Sequence, residues 1–271
     1  MEMRNSYSVS EVESKMDYTA SYNTDIGIRK STNQDSLAVR IIDTPNGKAA
    51  FAIICDGMGG LAKGELASKE VIYAFCEWFD ETFIRQACED SFSMKTLHDD
   101  WDSIIQVMNQ RLGNYGADNN LMLGTTVSAI LMYKGDYYIV HVGDSRVYEL
   151  SNDVRKLTKD QTFVAREVAM GRMTEEQAKI DPRRSVLLQC VGASNVVQPD
   201  FIKGEVKKNA VYLLCSDGFR HQISDEEIMD KLGPEATPSN DELQYGCVYL
   251  TELVKNREET DNISVVVVKT F

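Results

Sequence analysis

The chain has 271 residues, 43% of them apolar, and a formal net charge of −13 at pH 7. This acidic balance argues against a nucleic-acid partner, because it repels a phosphate backbone. No apolar run is long enough to cross a bilayer, so no membrane partner is expected. The interior has no linker-like stretch, so residues 17–271 are predicted to form a single domain. The polar residues 1–16 are predicted to form a flexible N-terminal arm, and they lack the apolar core of a signal peptide. We expect the protein to be a monomer.

Six cysteines lie mostly in apolar strand or helix patterns, and no two form a C-x-x-C pair. This pattern is typical of buried free thiols in a reducing compartment, so we expect a cytoplasmic protein without structural disulfides. The cysteines are Cys55, Cys76, Cys88, Cys190, Cys215 and Cys247.

Strand patterns dominate the first sixty residues. Residues 17–25 alternate loosely, residues 37–42 form an apolar run, and Asn46-Gly47 is a hairpin signal. The hairpin leads into the apolar stretch Phe51–Cys55, which ends on Asp56 and a glycine-rich turn, Gly57-Met58-Gly59-Gly60. The sequence therefore predicts a buried strand that delivers one carboxylate to a sheet edge.

Two amphipathic helices are predicted next, one striped from Ala67 to Phe79 and one from Leu97 to Leu112. Strand patterns then return over residues 124–132, 137–142 and 145–150. Grouped strands with paired helices, rather than strict alternation, favour an α+β fold with largely antiparallel sheets.

The region from Asp160 to Gly192 differs from its surroundings. It contains a short helical pattern near residues 163–170, a capping box at Thr174-Glu175-Glu176-Gln177 and a break at Asp181-Pro182. It is predicted to be a small helical insertion. Strands resume from Val206 to Asp217, and a long helix and a closing strand over residues 263–268 follow.

One construction recurs along the chain: an aspartate beside a glycine or asparagine at the end of an apolar strand. Asp56, Asp144 and Asp217 end such strands, and Asp261 stands just before the last one. A carboxylate at a buried strand end is costly unless something positive pairs with it. Four of them together predict one metal site.

The chain's three histidines are not paired at ligand spacing, which disfavours zinc and favours an all-oxygen site for Mg²⁺ or Mn²⁺. Two ions sharing a carboxylate would bridge a water, lower its pKa and present hydroxide to a phosphorus atom. In the loop before Asp35, the adjacent Arg29 and Lys30 suit an anion held over a metal. A solvated turn with surface charges explains that loop equally well.

Six motifs in order resemble the metal-dependent protein serine/threonine phosphatases of type 2C, particularly the short bacterial members. They span most of the chain: Asn33-Gln34-Asp35, Asp56-Gly57-Met58-Gly59-Gly60, Gly124-Thr125-Thr126, Gly143-Asp144-Ser145-Arg146, Ser216-Asp217-Gly218 and Asp261-Asn262. The resemblance implies an α-β-β-α layered sandwich, two mostly antiparallel sheets flanked by helices. It also implies a binuclear Mn²⁺/Mg²⁺ centre at one end, and a flap at about residues 160–192.

The resemblance also implies roles for single residues. Asp56 would bridge the two ions and Gly57 would offer its carbonyl, while Asp217 and Asp261 would complete the shell of one ion. Asp35 would act on the other ion through water. Asp144, with Asp217, would hold a third, weaker ion. Lys30, Asp35 and Asp56 are the expected catalytic residues.

Three positions depart from the family pattern. Lys30 stands where most members carry a phosphate-binding Arg, and Met58 where many eukaryotic members place a His thought to be the general acid. Asp181-Pro182-Arg183 replaces the usual His-Pro-Arg of the flap. None of these changes removes an expected metal ligand.

The resemblance implies hydrolysis of phosphoserine and phosphothreonine in proteins, the substrates of a serine/threonine kinase, in bacterial signalling. Two alternatives stay open: an inactive relative that only binds phosphopeptides, and a metal phosphoesterase acting on small metabolites. An inactive relative usually loses a metal ligand, whereas here the acidic set is intact.

Overall fold

A computed structural model describes residues 16–59 and 63–271 of the chain. The predicted N-terminal arm, apart from Met16, and Gly60 of the glycine-rich turn lie outside these described residues. Within the described part, two antiparallel sheets face each other and helices cover both outer faces. The predicted α+β fold with an α-β-β-α layered sandwich is confirmed.

The strands fall into three groups along the chain, at residues 18–59, 123–156 and 200–270. They are β1 (Tyr18–Asp25), β2 (Asp35–Thr44), β3 (Gly47–Gly59), β4 (Leu123–Thr125), β5 (Val127–Tyr133), β6 (Asp136–Val142), β7 (Arg146–Leu150), β8 (Val154–Lys156), β9 (Asp200–Glu205), β10 (Val211–Cys215) and β11 (Ile263–Thr270). One sheet has the order β1-β11-β10-β7-β8, and the other has the order β2-β3-β5-β6-β9 with β4 paired to β3. The turn between β6 and β7 passes from one sheet to the other.

The helices fall into three groups along the chain. They are α1 (Gly64–Glu77), a π-helix (Trp78–Phe83), α2 (Ile84–Cys88), α3 (Met94–Asn119), α4 (Phe163–Ala169), α5 (Glu175–Ile180), α6 (Asp217–Arg220), α7 (Asp225–Leu232) and α8 (Asn240–Asn256). The first group covers β3 and β5, and the last covers β10 and β11. Helices α4 and α5 lie in the predicted insertion.

Three apolar clusters hold the layers together. The inner faces of both sheets meet in one cluster, where Ile54 and Ile130 face Leu214 and Val266. Strand β11 is buried along its whole length, which suits its run of four valines between two layers. Complete burial of an aliphatic side chain of this size contributes about 1.5–3 kcal/mol, so these layers provide most of the folding free energy.

Three predicted boundaries differ from the structure. The first helix does not end near Phe79 but continues as the π-helix and α2, where aromatic rings pack around Trp78. The strand predicted from Gly124 breaks at Thr126 into β4 and β5. Strands were predicted to resume at Val206, but β9 already occupies the six residues before it.

The insertion at residues 160–192 contains two short helices. Thr162 caps α4 by accepting a hydrogen bond from the Ala165 N–H, and Thr174 and Gln177 form the predicted capping box of α5. Both side chains of that box find the expected backbone partner. The capping pattern alone therefore located this helix.

All six cysteines lie in the described part of the chain and are free thiols, and only Cys88 is exposed. The absence of a structural disulfide in the protein stays a prediction. In the described residues, no helix is both long and apolar enough to cross a membrane.

Candidate metal and phosphate site

Two of the predicted site carboxylates lie side by side in one sheet. Asp35 begins β2, Asp56 lies near the end of β3, and the two residues are paired across these antiparallel strands. Like charges directly opposite each other destabilise a sheet. A positively charged partner near Asp35 and Asp56 would remove this repulsion.

The other three carboxylates reach the same end of the sandwich from the second sheet and from the crossing turn. Asp217 follows β10, Asp261 precedes β11, and these two strands are antiparallel neighbours. Asp144 lies in the turn between β6 and β7. The fold thus brings all five predicted acidic residues to one edge, where the charge of Asp56 interacts with those of the other four.

Burial and mutual repulsion make Asp35, Asp56 and Asp144 hard to ionise. Asp35 and Asp144 are only 7% and 5% exposed. Burial, together with the negative charge of neighbours that include Asp217, raises the pKa of Asp35 and the pKa of Asp144 to about 7 each. The same two causes, burial first and then Asp35, raise the pKa of Asp56 well above its usual range.

Asp35 is also short of hydrogen bonds. Within the described residues, neither of its buried carboxylate oxygens has a partner at hydrogen-bond distance and angle. The hydroxyls of Ser216 and Ser264 are close enough to lower its pKa slightly, but Ser264 is hydrogen-bonded to Thr24 and Ser216 accepts from the Ser264 N–H. Buried acceptors without donors are rare, and a cation is one group that satisfies them.

The donor set suits a hard divalent cation, because all five side chains offer oxygen and Mg²⁺ and Mn²⁺ prefer oxygen ligands. The set is not a preformed shell: among residues 16–59 and 63–271, no three His, Cys, Asp or Glu side chains are grouped closely enough to hold an ion. The fit therefore rests on charge, burial and the unpaired oxygens of Asp35.

The backbone around Asp56 is held by the Gly124-Thr125-Thr126 motif. The Asp56 N–H donates to Thr126 Oγ1 at 2.9 Å, and its carbonyl accepts from the Thr126 N–H at 2.9 Å and from Thr125 Oγ1 at 3.0 Å. Beyond Asp56 the chain crosses the start of α1 so closely that a Cβ on Gly57 would lie 2.2 Å from the carbonyl oxygen of Gly64. Only glycine fits this crossing.

The loop that carries Lys30 is attached to the Asp261-Asn262 motif. The Asn262 side chain accepts from the Gln34 N–H at 2.9 Å and donates to the carbonyls of Ile26 at 2.9 Å and Thr32 at 3.2 Å. Gly27, at φ +76°, lies where a Cβ would be 2.2 Å from the Asp261 carbonyl oxygen. Asn262 thus fixes both ends of the loop beside the carboxylates.

Lys30 and Arg29 take different directions in this loop. Lys30 Nζ lies 2.7 Å from Asp261 Oδ1. Burial works against its charge, but the hydrogen bond with Asp261 and the charges of Asp56 and Asp217 raise its pKa. Arg29 is exposed and has no ion pair with the described residues. Of the two adjacent cations, Lys30 is the one that faces the acidic cluster.

Residues 28–250 match the family profile of protein phosphatase 2C. This chain belongs to the protein phosphatase 2C family. The resemblance found in the motifs is therefore confirmed.

Relatives of known name agree with this assignment. The serine/threonine protein phosphatase PstP of Mycobacterium tuberculosis is 32% identical over 248 residues, which are 90% of this chain and 43% of the longer PstP chain. The serine/threonine phosphatase of S. agalactiae superposes with a TM-score of 0.78 at 26% identity, covering 93% of this chain and 99% of that one. The PstP catalytic domain in complex with two manganese ions gives a TM-score of 0.75 at 29% identity, covering 94% of this chain and 99% of that domain.

Of the three departures of this type 2C chain from the family pattern, Lys30 and Met58 lie beside predicted site residues, and the third lies in the predicted flap. Met58 pairs with Gly124 between β3 and β4 and has no proton to donate. In the predicted flap, Arg183 forms a two-point ion pair with Asp181 and lies over the ring of Phe163, 4.3 Å from its centroid. Asp181 therefore holds Arg183 in place within the predicted flap. The family's usual residue at position 181 is His.

An arginine network next to Asp144 was not predictable from the sequence. Arg146 binds both oxygens of Asp160, at 2.8 and 2.6 Å, and so connects β7 to the start of the predicted flap. Arg220 in α6 donates to the Asp144 carbonyl at 3.1 Å and lies 3.6 Å from its carboxylate. Arg146 lies inside one of the six family-like motifs, but its partner Asp160, 14 residues away, gave no sequence signal.

Proposed function

We propose that this chain is a metal-dependent phosphatase that hydrolyses phosphoserine and phosphothreonine in proteins. Family membership supports the reaction class. The observation that carries the proposal is the complete acidic set at one end of the sandwich, where both oxygens of the buried Asp35 have no hydrogen-bond partner among the described residues. A chain that had kept only phosphopeptide binding would have no need of five mutually repelling carboxylates.

The proposed ligands are divided between two Mn²⁺ or Mg²⁺ ions and a third, weaker one. Asp56 and the Gly57 carbonyl would serve both ions of the pair, Asp217 and Asp261 would complete the ligand set of one ion, and Asp35 would act on the other through water. Asp144 and Asp217 would hold the third ion. When bound, the ions supply Lewis-acid charge that activates water and neutralises the phosphoryl group.

The chain's own residues position the substrate. Lys30, held at the site by the Asn262-anchored loop, is proposed to bind the phosphate oxygens. Its ammonium is a point charge on a flexible stem, so it holds phosphate less rigidly than the planar fork of an Arg. Met58 carries no acid, so protonation of the leaving serine or threonine is left to solvent or to another group.

We further propose that residues 17–271 form one catalytic domain with a flap at residues 160–192, acting as a monomer on substrates of a serine/threonine kinase. Six free thiols suit the reducing cytoplasm. The net charge of −13 disfavours nucleic acid, and we propose no membrane partner.

The test is phosphate release from a phosphothreonine peptide by chelator-treated protein, with and without Mn²⁺, next to a panel of phosphorylated metabolites. Release from the peptide that requires Mn²⁺ is expected. Binding of the peptide without release would indicate an inactive relative. Preference for the metabolites would indicate a small-molecule phosphoesterase.

Replacing Lys30 with Ala is expected chiefly to raise KM, with a smaller fall in kcat. The ions activate water without Lys30, whereas the phosphate loses a positive partner in both ground and transition states. Lys30→Arg should keep or improve kcat/KM. Steady-state kinetics on one phosphopeptide measures both, with Arg29→Ala as the matched control. A strong defect at Arg29 with an unchanged Lys30 variant would contradict this assignment.

Stabilisation by Mn²⁺ is expected to increase with pH. Asp35 and Asp144 have a pKa of about 7 in the folded protein, against roughly 3.9 in an unfolded chain. Between these values the folded state holds the extra protons, so the metal-free fold loses stability as pH rises from about 4 to about 7. An ion that neutralises the carboxylates offsets this loss of stability, and the offset is largest above pH 7, where the loss is complete.

Thermal unfolding measures this directly. The rise in Tm on adding saturating Mn²⁺ should be larger at about pH 7.5 than at about pH 5.5, where the ion must first displace protons. Equal rises at both values would refute the electrostatic description of the site.

A further inference from the structure

The ion pair between Lys30 and Asp261 joins two residues with separate roles in the proposed function. Lys30 Nζ lies 2.7 Å from Asp261 Oδ1, the oxygen that also accepts from the Asn262 N–H at 2.8 Å. We propose that Lys30 is an internal counter-cation that competes with the metal ion for Asp261 and turns to phosphate when the ion binds. This inference rests on the proposed function.

The surroundings of Asp261 support the competition. Its carboxylate belongs to a cluster of like charges, and the Lys30 ammonium is attracted first by Asp261 and then by Asp56 and Asp217. A divalent ion at Asp261 would lie within a few ångströms of that ammonium. Two cations at one carboxylate repel each other, so binding of the metal ion weakens the ion pair between Lys30 and Asp261.

The ion pair is readily exchanged. Both side chains are 39% exposed, and an ion pair in contact with water contributes little. Lysine makes one point contact on a flexible stem, whereas arginine would grip the carboxylate with two parallel hydrogen bonds. A lysine here therefore yields to the ion more easily than the usual family residue would.

Release does not carry Lys30 away from the site. Asn262 holds the loop on both sides, through the Ile26 and Thr32 carbonyls and the Gln34 N–H. Only the side chain is free to swing, so the ammonium stays within reach of a phosphate bound over the ions. Metal binding and phosphate binding are thereby coupled through one side chain.

The test is the affinity for Mn²⁺, measured by isothermal titration calorimetry on chelator-treated protein without substrate. Lys30→Gln, which keeps most of the length but not the charge, is expected to bind Mn²⁺ about three- to tenfold more tightly. Lys30→Arg should bind no more tightly than wild type. Arg29→Gln, which removes the same charge one residue away, should stay within about twofold of wild type.

A second measurement separates competition from damage to the fold. Without metal, Lys30→Gln should have a lower Tm than wild type, because Asp261 loses its partner, and with saturating Mn²⁺ the two values should converge. Lys30→Met, another uncharged chain of similar length, repeats both measurements should the Gln variant fold poorly.

The outcomes distinguish this inference from the proposed function. If wild type binds Mn²⁺ and hydrolyses phosphopeptide, but neither neutral Lys30 variant binds Mn²⁺ more tightly, only the competition is refuted. An equal gain in Arg29→Gln would also refute it, since net charge would then explain the effect. A wild-type protein without Mn²⁺ affinity would overturn both proposals.

Discussion

Asp56→Asn and Asp217→Asn are each expected to abolish phosphatase activity, by about three orders of magnitude or more, while the fold remains intact. Each substitution keeps the side-chain volume and removes a charge that would hold the ions. The Asp56→Asn substitution should increase the stability of the metal-free fold, because burial and four neighbouring charges raise the pKa of the Asp56 carboxylate. A neutral amide at this position relieves that repulsion in the metal-free protein.

Phosphopeptide turnover at saturating Mn²⁺ measures the first effect, and thermal unfolding of the metal-free protein measures the second. Asp43→Asn is the matched control, since Asp43 is exposed near the far end of the strand that begins at Asp35. Its activity should stay within about twofold of wild type. Near-normal turnover by a folded Asp56 or Asp217 variant would contradict the proposed ligand assignment.

The acidic end of the molecule was predictable because its signals are local. An apolar strand that stops at an Asp beside a Gly is visible within a few residues, as at Cys55-Asp56-Gly57. Antiparallel neighbours then bring such ends together, which is why Asp35 and Asp56 are paired across β2 and β3. Neither step requires knowledge of distant contacts.

Features that depend on distant contacts gave no such signal. Strand β9 has an exposed, charged edge and becomes a strand by pairing with β6. The helix continues past Phe79 because Trp78 and Phe83 pack into an aromatic cluster that its sequence pattern does not reveal.

The same limit applies within the site. The motif alignment favoured Lys30 over its neighbour Arg29 for the phosphate, but it did not show the contact that separates them, an ion pair of Lys30 with Asp261, 231 positions away. Asn262 was visible as part of a motif, but its three hydrogen bonds to the Lys30 loop were not. Residue types can therefore be predicted at such a site where the pairs they form cannot.

Gly57→Ala is expected to destabilise the protein by about 3 kcal/mol or more and to remove most activity. An added Cβ would lie 2.2 Å from the Gly64 carbonyl oxygen and 2.6 Å from that of Gln34, and both are backbone atoms that no rotamer change can move. The backbone after Asp56 must then shift, and with it the carboxylate and the carbonyl proposed to meet the ions. For a chain of this size, Tm should fall by roughly 6–12 °C.

Gly135→Ala provides the control, because it lies in the β5–β6 turn at the opposite end of the sheet and its Cβ would meet open space. At φ +81° it incurs only the left-handed backbone cost of about 1–2 kcal/mol, and its activity should be retained. The two variants together separate strain in a turn from the crossing of two backbones. A Gly57→Ala protein with wild-type Tm and turnover would mean that α1 can move aside, and that the position of Asp56 does not depend on this crossing.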